Sequence, residues 1–142
     1  METPTTGRLL AVDWGAKRTG LAVTDPQQLI ASALTTVRTH ELIDFLKQYD
    51  TTEGIAAFVV GEPRRLDNTP THATAPTEAF VRRLRKQFPD KAVHRVDERF
   101  TSRMALRAMI DAGSKRKDRR RKENIDKVSA AIILQSFLEQ RR

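Results

Sequence analysis

Carboxylates recur where the short apolar runs of this sequence stop. Asp13 ends LLAVD, Glu62 follows IAAFVVG, Asp97 and Glu98 follow AVHRV, and Asp126 precedes VSAAIIL. If the strands ending in these acids are neighbours, with the first parallel to the fourth, the acids converge on one edge of a sheet. Carboxylates at close range raise one another's pKa, so such a cluster stays ionised only around a cation. Hard oxygen ligands suit Mg²⁺ or Mn²⁺. Two such ions about 3.5–4 Å apart activate a water and stabilise the leaving oxygen in phosphodiester cleavage.

Each acid also has a plainer reading. Asp126, at the expected start of the last helix, would favour the helix dipole or cap exposed N–H groups. Asp97 and Glu98 could be solvated and paired with Arg99 and Arg103. Asp13 is harder to explain away, because an acid between Ala-Val and a Trp-Gly turn risks burial, which is costly without a partner. Gly15 and Gly20 bracket that turn, and their spacing suits a tight hairpin whose backbone approaches a phosphate. Many hairpins share the pattern.

The elements that must position these acids follow from the apolar spacing. Residues 8–13 and 20–24 read as strands, with a third around Ile30–Val37, close enough together for an antiparallel meander. His40–Tyr49 has the period of a short amphipathic helix. The continuous apolar run 55–60 predicts a central parallel strand buried on both faces. The polar stretch EPRRLDNTPTHATAP that follows is too long for a simple connection. Phe80, Leu84 and Phe88 mark a helix over 77–88, and Ala92–Val96 is a fifth strand. Thr101 or Ser102 caps a further helix through Ile110, stopped by Gly113. The last helix is expected from about Ile125 to Leu138, with Ile125, Val128, Ile132 and Gln135 on one line and a second apolar line beside it. The order βββαβαβαα describes an α/β fold: a mixed five-stranded sheet, antiparallel meander plus parallel strands, flanked by helices. With no internal repeat or linker, residues 1–142 are expected to form a single domain.

Composition narrows the partners. The chain has 142 residues, 39% of them apolar, enough to bury a core. It has no cysteine, which excludes disulfides and thiolate metal sites. No apolar run approaches the ~20 residues needed to span a bilayer, and METPTTGR lacks the apolar stretch of a signal peptide. A soluble, cytoplasmic protein without a membrane partner is expected. The net charge of +8 favours polyanions, because neutralising phosphates releases condensed counterions.

Taken together, these segments resemble the YqgF/RuvX family, described both as Holliday junction resolvases and as pre-16S rRNA nucleases. AVDWGAKRTGLAVTD is similar to its opening motif, VVGEP to its VVG-Leu-Pro strand end, and RRLDNT to its loop leading to an Asp-Gly-Thr turn. VDERFTSRMA is similar to its Asp-Glu-Arg-(Leu/Phe)-(Thr/Ser) motif and NIDKVSAAIILQSFLEQ to its closing helix. The resemblance covers nearly the whole chain in order. It implies an RNase H-like fold and a nuclease using Mg²⁺ or Mn²⁺, with the catalytic, metal-binding acids falling on Asp13, Glu98 and Asp126. It also implies a cytoplasmic role in maturing the 5′ end of 16S rRNA, on structured RNA or a pre-ribosomal particle, or else cleavage of branched DNA. The expected state is a monomer or weak homodimer.

Three positions depart from the family pattern. Trp14 stands where Tyr or Phe is usual, and keeps the apolar bulk. Asn68 replaces the glycine of the loop turn, and Asn is the residue that best tolerates a left-handed conformation. Glu62 replaces a leucine; it is a fourth ligand or, the favoured reading, a partner of Arg64 or Arg65.

Basic residues surround these motifs. Lys17 and Arg18, beside Asp13, either hold substrate phosphates or are solvated turn cations. Thr101 and Ser102 either cap a helix or sit where its N–H groups face a phosphate. Arg64, Arg65 and Arg99 are further candidates for nucleic-acid contact. The run before Asp126, with Lys115, Arg116, Lys117, Arg119, Arg120, Arg121 and Lys122, suits electrostatic capture of a phosphate backbone, although such runs are usually just solvated. Aromatics make up only 6% of the chain, so base stacking is not indicated. Two other classes compete: a non-catalytic RNA-binding factor, against which all three acids weigh, and an actin- or sugar-kinase-like phosphotransferase, which needs a second lobe around ATP.

Overall fold

Side chains alternate across a strand, so every apolar run in this chain must satisfy two layers at once. The computed structural model describes residues 3–64, 67–101 and 119–141. In it β1 (Leu9–Asp13), β2 (Arg18–Thr24) and β3 (Ala31–Arg38) form the antiparallel meander. A 3-10 turn, Thr39–Glu41, leads into α1 (Leu42–Thr52). The strand β4 (Ala57–Glu62) lies parallel to β1, and after α2 (Thr74–Gln87), β5 (Ala92–Asp97) lies parallel to β4. The sheet order is β3-β2-β1-β4-β5, closed on one face by α3 (Arg119–Arg141). This is the mixed α/β arrangement expected of an RNase H-like fold. The helix expected to end at Ile110, and Gly113 after it, lie outside the described residues. Among the described residues no helix is long and apolar enough to cross a membrane.

Strand alternation sorts the core into two layers. Leu10, Val12, Leu21, Val23, Phe58 and Val60 meet α1 and α2 through Leu42, Leu46, Phe80, Val81 and Leu84. Phe88, just past α2, stands edge-on to Phe58 with ring centroids 5.0 Å apart. Leu9, Ala11, Ala22, Ala57, Val59 and Val96 meet α3 through Ala130, Ile133, Leu134 and Leu138. The second layer is built from smaller sheet residues, so α3 sits close to the strands.

Two glycines make that approach possible. A Cβ on Gly20 would lie 1.9 Å from the carbonyl oxygen of Asp126 and 2.8 Å from the nitrogen of Lys127. A Cβ on Gly61 would lie 2.5 Å from Oε1 of Glu98 and 2.9 Å from Cδ1 of Ile133. The role expected for Gly20, bringing a phosphate to a hairpin, is therefore corrected: its missing side chain is the space the α3 backbone occupies. Gly15 does belong to the turn, where a Cβ would strike the carbonyl of Arg18 at 2.3 Å.

The last helix also differs from expectation in extent. It includes Arg119–Asn124, upstream of the expected start, because Arg, Lys and Glu are good helix formers even without an apolar period. Of its two apolar lines, the one facing the sheet is Ala130, Ile133, Leu134 and Leu138, and Val128 on the other is exposed. Asn68 has φ 69°, the left-handed conformation anticipated for it.

Gly20→Ala should destabilise the protein by about 3 kcal/mol or more, because the added methyl meets backbone that cannot repack. Gly54→Ala is the comparison: φ is +82° but nothing lies within 4 Å of the added atom, so only backbone strain of about 1–2 kcal/mol applies. Urea unfolding of both variants measures the difference.

Candidate active site

Asp13 is the last residue of β1 and, by alternation from Leu9 and Ala11, lies on the α3 side of the sheet, only 3% exposed. Its cross-strand partner is Gly20, the residue on which α3 rests at Asp126. Asp126 lies about two turns into α3, one turn before Ala130, on the stripe that buries itself. The reading of Asp126 as an acid of the first helical turn is thereby removed. Glu98 opens the 3-10 turn Glu98–Phe100 after β5, and its Oε1 occupies the space beside Gly61. The β1–β4 register pairs Val12 with Val60, which puts Asp13 and Gly61 at adjacent strand ends. Asp13, Glu98 and Asp126 are all buried, so three carboxylates share one end of one sheet face. Glu98 is accordingly not the solvated loop acid of the plainer reading.

Arg18 donates from Nε to Oδ2 of Asp126 at 3.1 Å, with 37% of its side chain exposed. It faces a candidate ligand directly. Among the described residues no group of three or more His, Cys, Asp or Glu side chains is placed to hold a metal ion. The three carboxylates are nevertheless donors of the right chemical kind for a hard divalent ion.

The remaining acids fall on the opposite face. Glu62 alternates with Phe58 and Val60 toward α1 and α2, where Arg64 donates to it. The pairing reading of Glu62 is the one observed. Glu62 and Asp97 are cross-strand partners, two like charges side by side, each met by an arginine. Arg99 clasps Asp97, with Nε 3.0 Å from Oδ1 and Nη2 2.6 Å from Oδ2, while its backbone N–H donates to Oδ1 at 3.0 Å. The side-chain hydrogen bonds from Arg99 hold the Asp97 carboxyl below its ordinary value, against a smaller opposing effect of burial. This clasp fixes the bend at which the chain leaves β5 and turns Glu98 to the other face. Thr101 donates from Oγ1 to the Glu98 carbonyl at 3.0 Å.

The predicted phosphate-binding residues are therefore divided. Lys17 is exposed in the β1–β2 turn, whereas the charges of Arg64 and Arg99 face Glu62 and Asp97. Arg119, Arg120, Arg121 and Lys122 are helical residues of α3. Arg65, Ser102, Lys115, Arg116 and Lys117 lie outside the described residues. Sequence reasoning missed Gly61 as a site residue and Arg38, the cross-strand partner of Arg18. A glycine interrupting a buried apolar strand signals close approach by another group, and that signal was present at Gly61.

The sequence matches the family described as RuvX: Holliday junction resolvase over residues 7–140. It is 51% identical over 131 residues to a protein of Christiangramia forsetii named "Putative pre-16S rRNA nuclease", spanning 92% of this chain and 97% of that one. A Bacteroides fragilis protein of the same name is 49% identical over 135 residues, spanning 95% and 98%. Among solved structures, Thermus thermophilus RuvC in complex with a Holliday junction substrate superposes with a TM-score of 0.58 at 15% identity, covering 94% of this chain and 95% of that one. A second T. thermophilus RuvC structure gives 0.56 at 14% identity and the same coverage. RuvC is RNase H-like, and the likeness establishes that fold here.

The Asp97 clasp has a pH consequence. A carboxyl held low in the folded state contributes stability that is complete above the ordinary aspartate value near 3.9 and is lost as pH falls through the lowered value. Asp97→Asn should thus be less stable than the unaltered protein at pH 7. The gap should narrow as the pH drops below about 4. Thermal unfolding at stepped pH reads both.

Proposed function

This chain belongs to the RuvX family, and from that premise we propose that it is a metal-dependent endonuclease maturing the 5′ end of the 16S rRNA precursor in the cytoplasm. The observation that carries the reading is the set of three buried carboxylates, Asp13, Glu98 and Asp126, at one end of the α3 face. Full-length relatives at about half identity that carry the pre-16S rRNA nuclease name support the substrate class. The family's own description supports a second reading, cleavage of a branched DNA junction.

Asp13, Glu98 and Asp126 would hold Mg²⁺ or Mn²⁺. When bound, the metal supplies Lewis acidity at the phosphate and an activated water. The chain's own residues do the positioning. Asp13 is held at the end of a central strand with neighbours on both sides, so its carboxylate has little freedom. Glu98 is aimed by the Asp97–Arg99 clasp, and Asp126 by the helix that Gly20 admits. Arg18 orients Asp126 by donating to its carboxylate, and its part-exposed guanidinium lies where a substrate phosphate would approach. The surrounding positive charge attracts the substrate backbone without reading its sequence.

Asp13→Asn should reduce Mn²⁺-dependent cleavage of a precursor rRNA fragment to the level seen with chelator, while the circular-dichroism melting curve stays cooperative. Full activity in that variant would sink the assignment. Depleting the protein and sequencing rRNA 5′ ends separates the two substrates. Accumulated precursor supports rRNA maturation, and mature ends with unresolved recombination intermediates support junction cleavage.

A further inference from the structure

Arg18 and Arg38 are direct cross-strand partners at the end of β2 and β3. Like charges placed opposite one another destabilise a sheet, so the pair calls for an explanation. Arg18 leans to Asp126 at 3.1 Å, which leaves Arg38 exposed beside it on the edge strand. Between them lies a cavity of about 540 Å³. Its cations are Lys17, Arg18 and Arg38, and its acids are Glu41 and Glu123. Glu41 lies 3.7 Å from Nε2 of His40, and both side chains are largely solvated. Among the described residues neither Lys17 nor Arg38 has an ion-pair partner. Glu123 lies about one turn before Asp126 on α3, so the cavity adjoins the carboxylates on their Asp126 side.

The walls are held by hydrogen bonds rather than by the cations themselves. Thr36 donates from Oγ1 to the carbonyl of Glu123 at 2.5 Å, tying β3 to α3. The N–H of Thr39 donates to the carbonyl of Lys17 at 3.0 Å, and Oγ1 of Thr39 donates to the carbonyl of Gly15 at 2.5 Å. The three cations therefore project from pinned backbone into one groove. Among the described residues no aromatic side chain lines it, so these residues offer charge to a backbone and no platform for a base.

We propose that this groove is a phosphate subsite for the nucleic-acid segment adjoining the scissile bond, with Arg38 and Lys17 binding the backbone and Arg18 linking the subsite to Asp126. The proposal rests on the endonuclease reading. It assigns a substrate-binding role to Arg38 and gives the like-charged Arg18–Arg38 pair its counter-charge. It also gives the substrate strand a direction, leaving the carboxylates along the β2–β3 edge.

The test is binding of a fluorescein-labelled RNA stem with a single-stranded 5′ overhang to the full chain, in chelator so that the probe stays intact, across a salt series. Arg38→Ala should weaken binding about tenfold or more, as expected for loss of a charge-assisted contact. It should also lower the slope of log affinity against log salt by about one. Arg85→Ala removes the same charge from α2, on the other layer, and should leave both quantities at the unaltered values. Lys17→Ala should act in the same direction as Arg38→Ala. If Arg38→Ala binds like the unaltered protein, or if it and Arg85→Ala weaken binding equally, the subsite is overturned while the endonuclease reading stands. If the unaltered protein binds neither the RNA nor a four-way DNA junction, the endonuclease reading falls and the subsite falls with it.

Discussion

The backbone of α3 rests on β2 at Gly20, where even a methyl group would collide with the carbonyl of Asp126. Much else depends on that contact. It sets how near the helix lies to the sheet, and so whether Asp126 reaches the strand end that carries Asp13. It requires the small residues Ala11, Ala22 and Ala57 on the same face, since larger ones would lift the helix away. It also lets Arg18, two residues before the glycine, reach Asp126. Gly61 plays the matching part on β4 by leaving room for the Glu98 carboxylate and for Ile133. The candidate site is thus assembled partly by two residues that have no side chain.

The sheet then separates two electrostatic systems by parity alone. Asp13 faces α3, and Glu98 is turned to the same side by the bend after β5. Glu62 and Asp97 point the other way and are met by Arg64 and Arg99. The two systems share strands and lie only a few residues apart, yet they have different tasks. The paired system is structural: it neutralises two adjacent carboxylates and holds the bend that aims Glu98. The other lies beside the groove where Lys17, Arg18 and Arg38 gather, joined to it through the Arg18–Asp126 pair.

Much of this was legible in the residues. The five strands and the helices at 42–52 and 74–87 follow from apolar period and length, with ends displaced by a few residues where capping and turn geometry decide them. Asp13 stood out because its apolar context forces burial. Asp126 stands out less, because an acid at the expected start of a helix is explained by the helix dipole alone. An amphipathic helix with two adjacent apolar lines does not reveal which one faces the sheet, and here the exposed Val128 and buried Ala130 resolve it. The start of that helix was hidden for a related reason: a basic run can be helical without any period to show it.

The amino-acid sequence by itself determined the strand order's raw material, the acids at strand ends, the Glu62–Arg64 pairing and the left-handed turn at Asn68. These depend on neighbours close in the chain, on period and on the conformations a residue tolerates. Only the tertiary structure decided that Gly20 serves the helix rather than a phosphate, that Asp126 lies on the buried stripe, and that Arg38 stands beside Arg18. Those facts depend on distances between segments as many as a hundred residues apart, which are set by how closely two packed layers approach. Local pattern specifies which face of an element is apolar, and the approach of one backbone to another is a property of the assembled core.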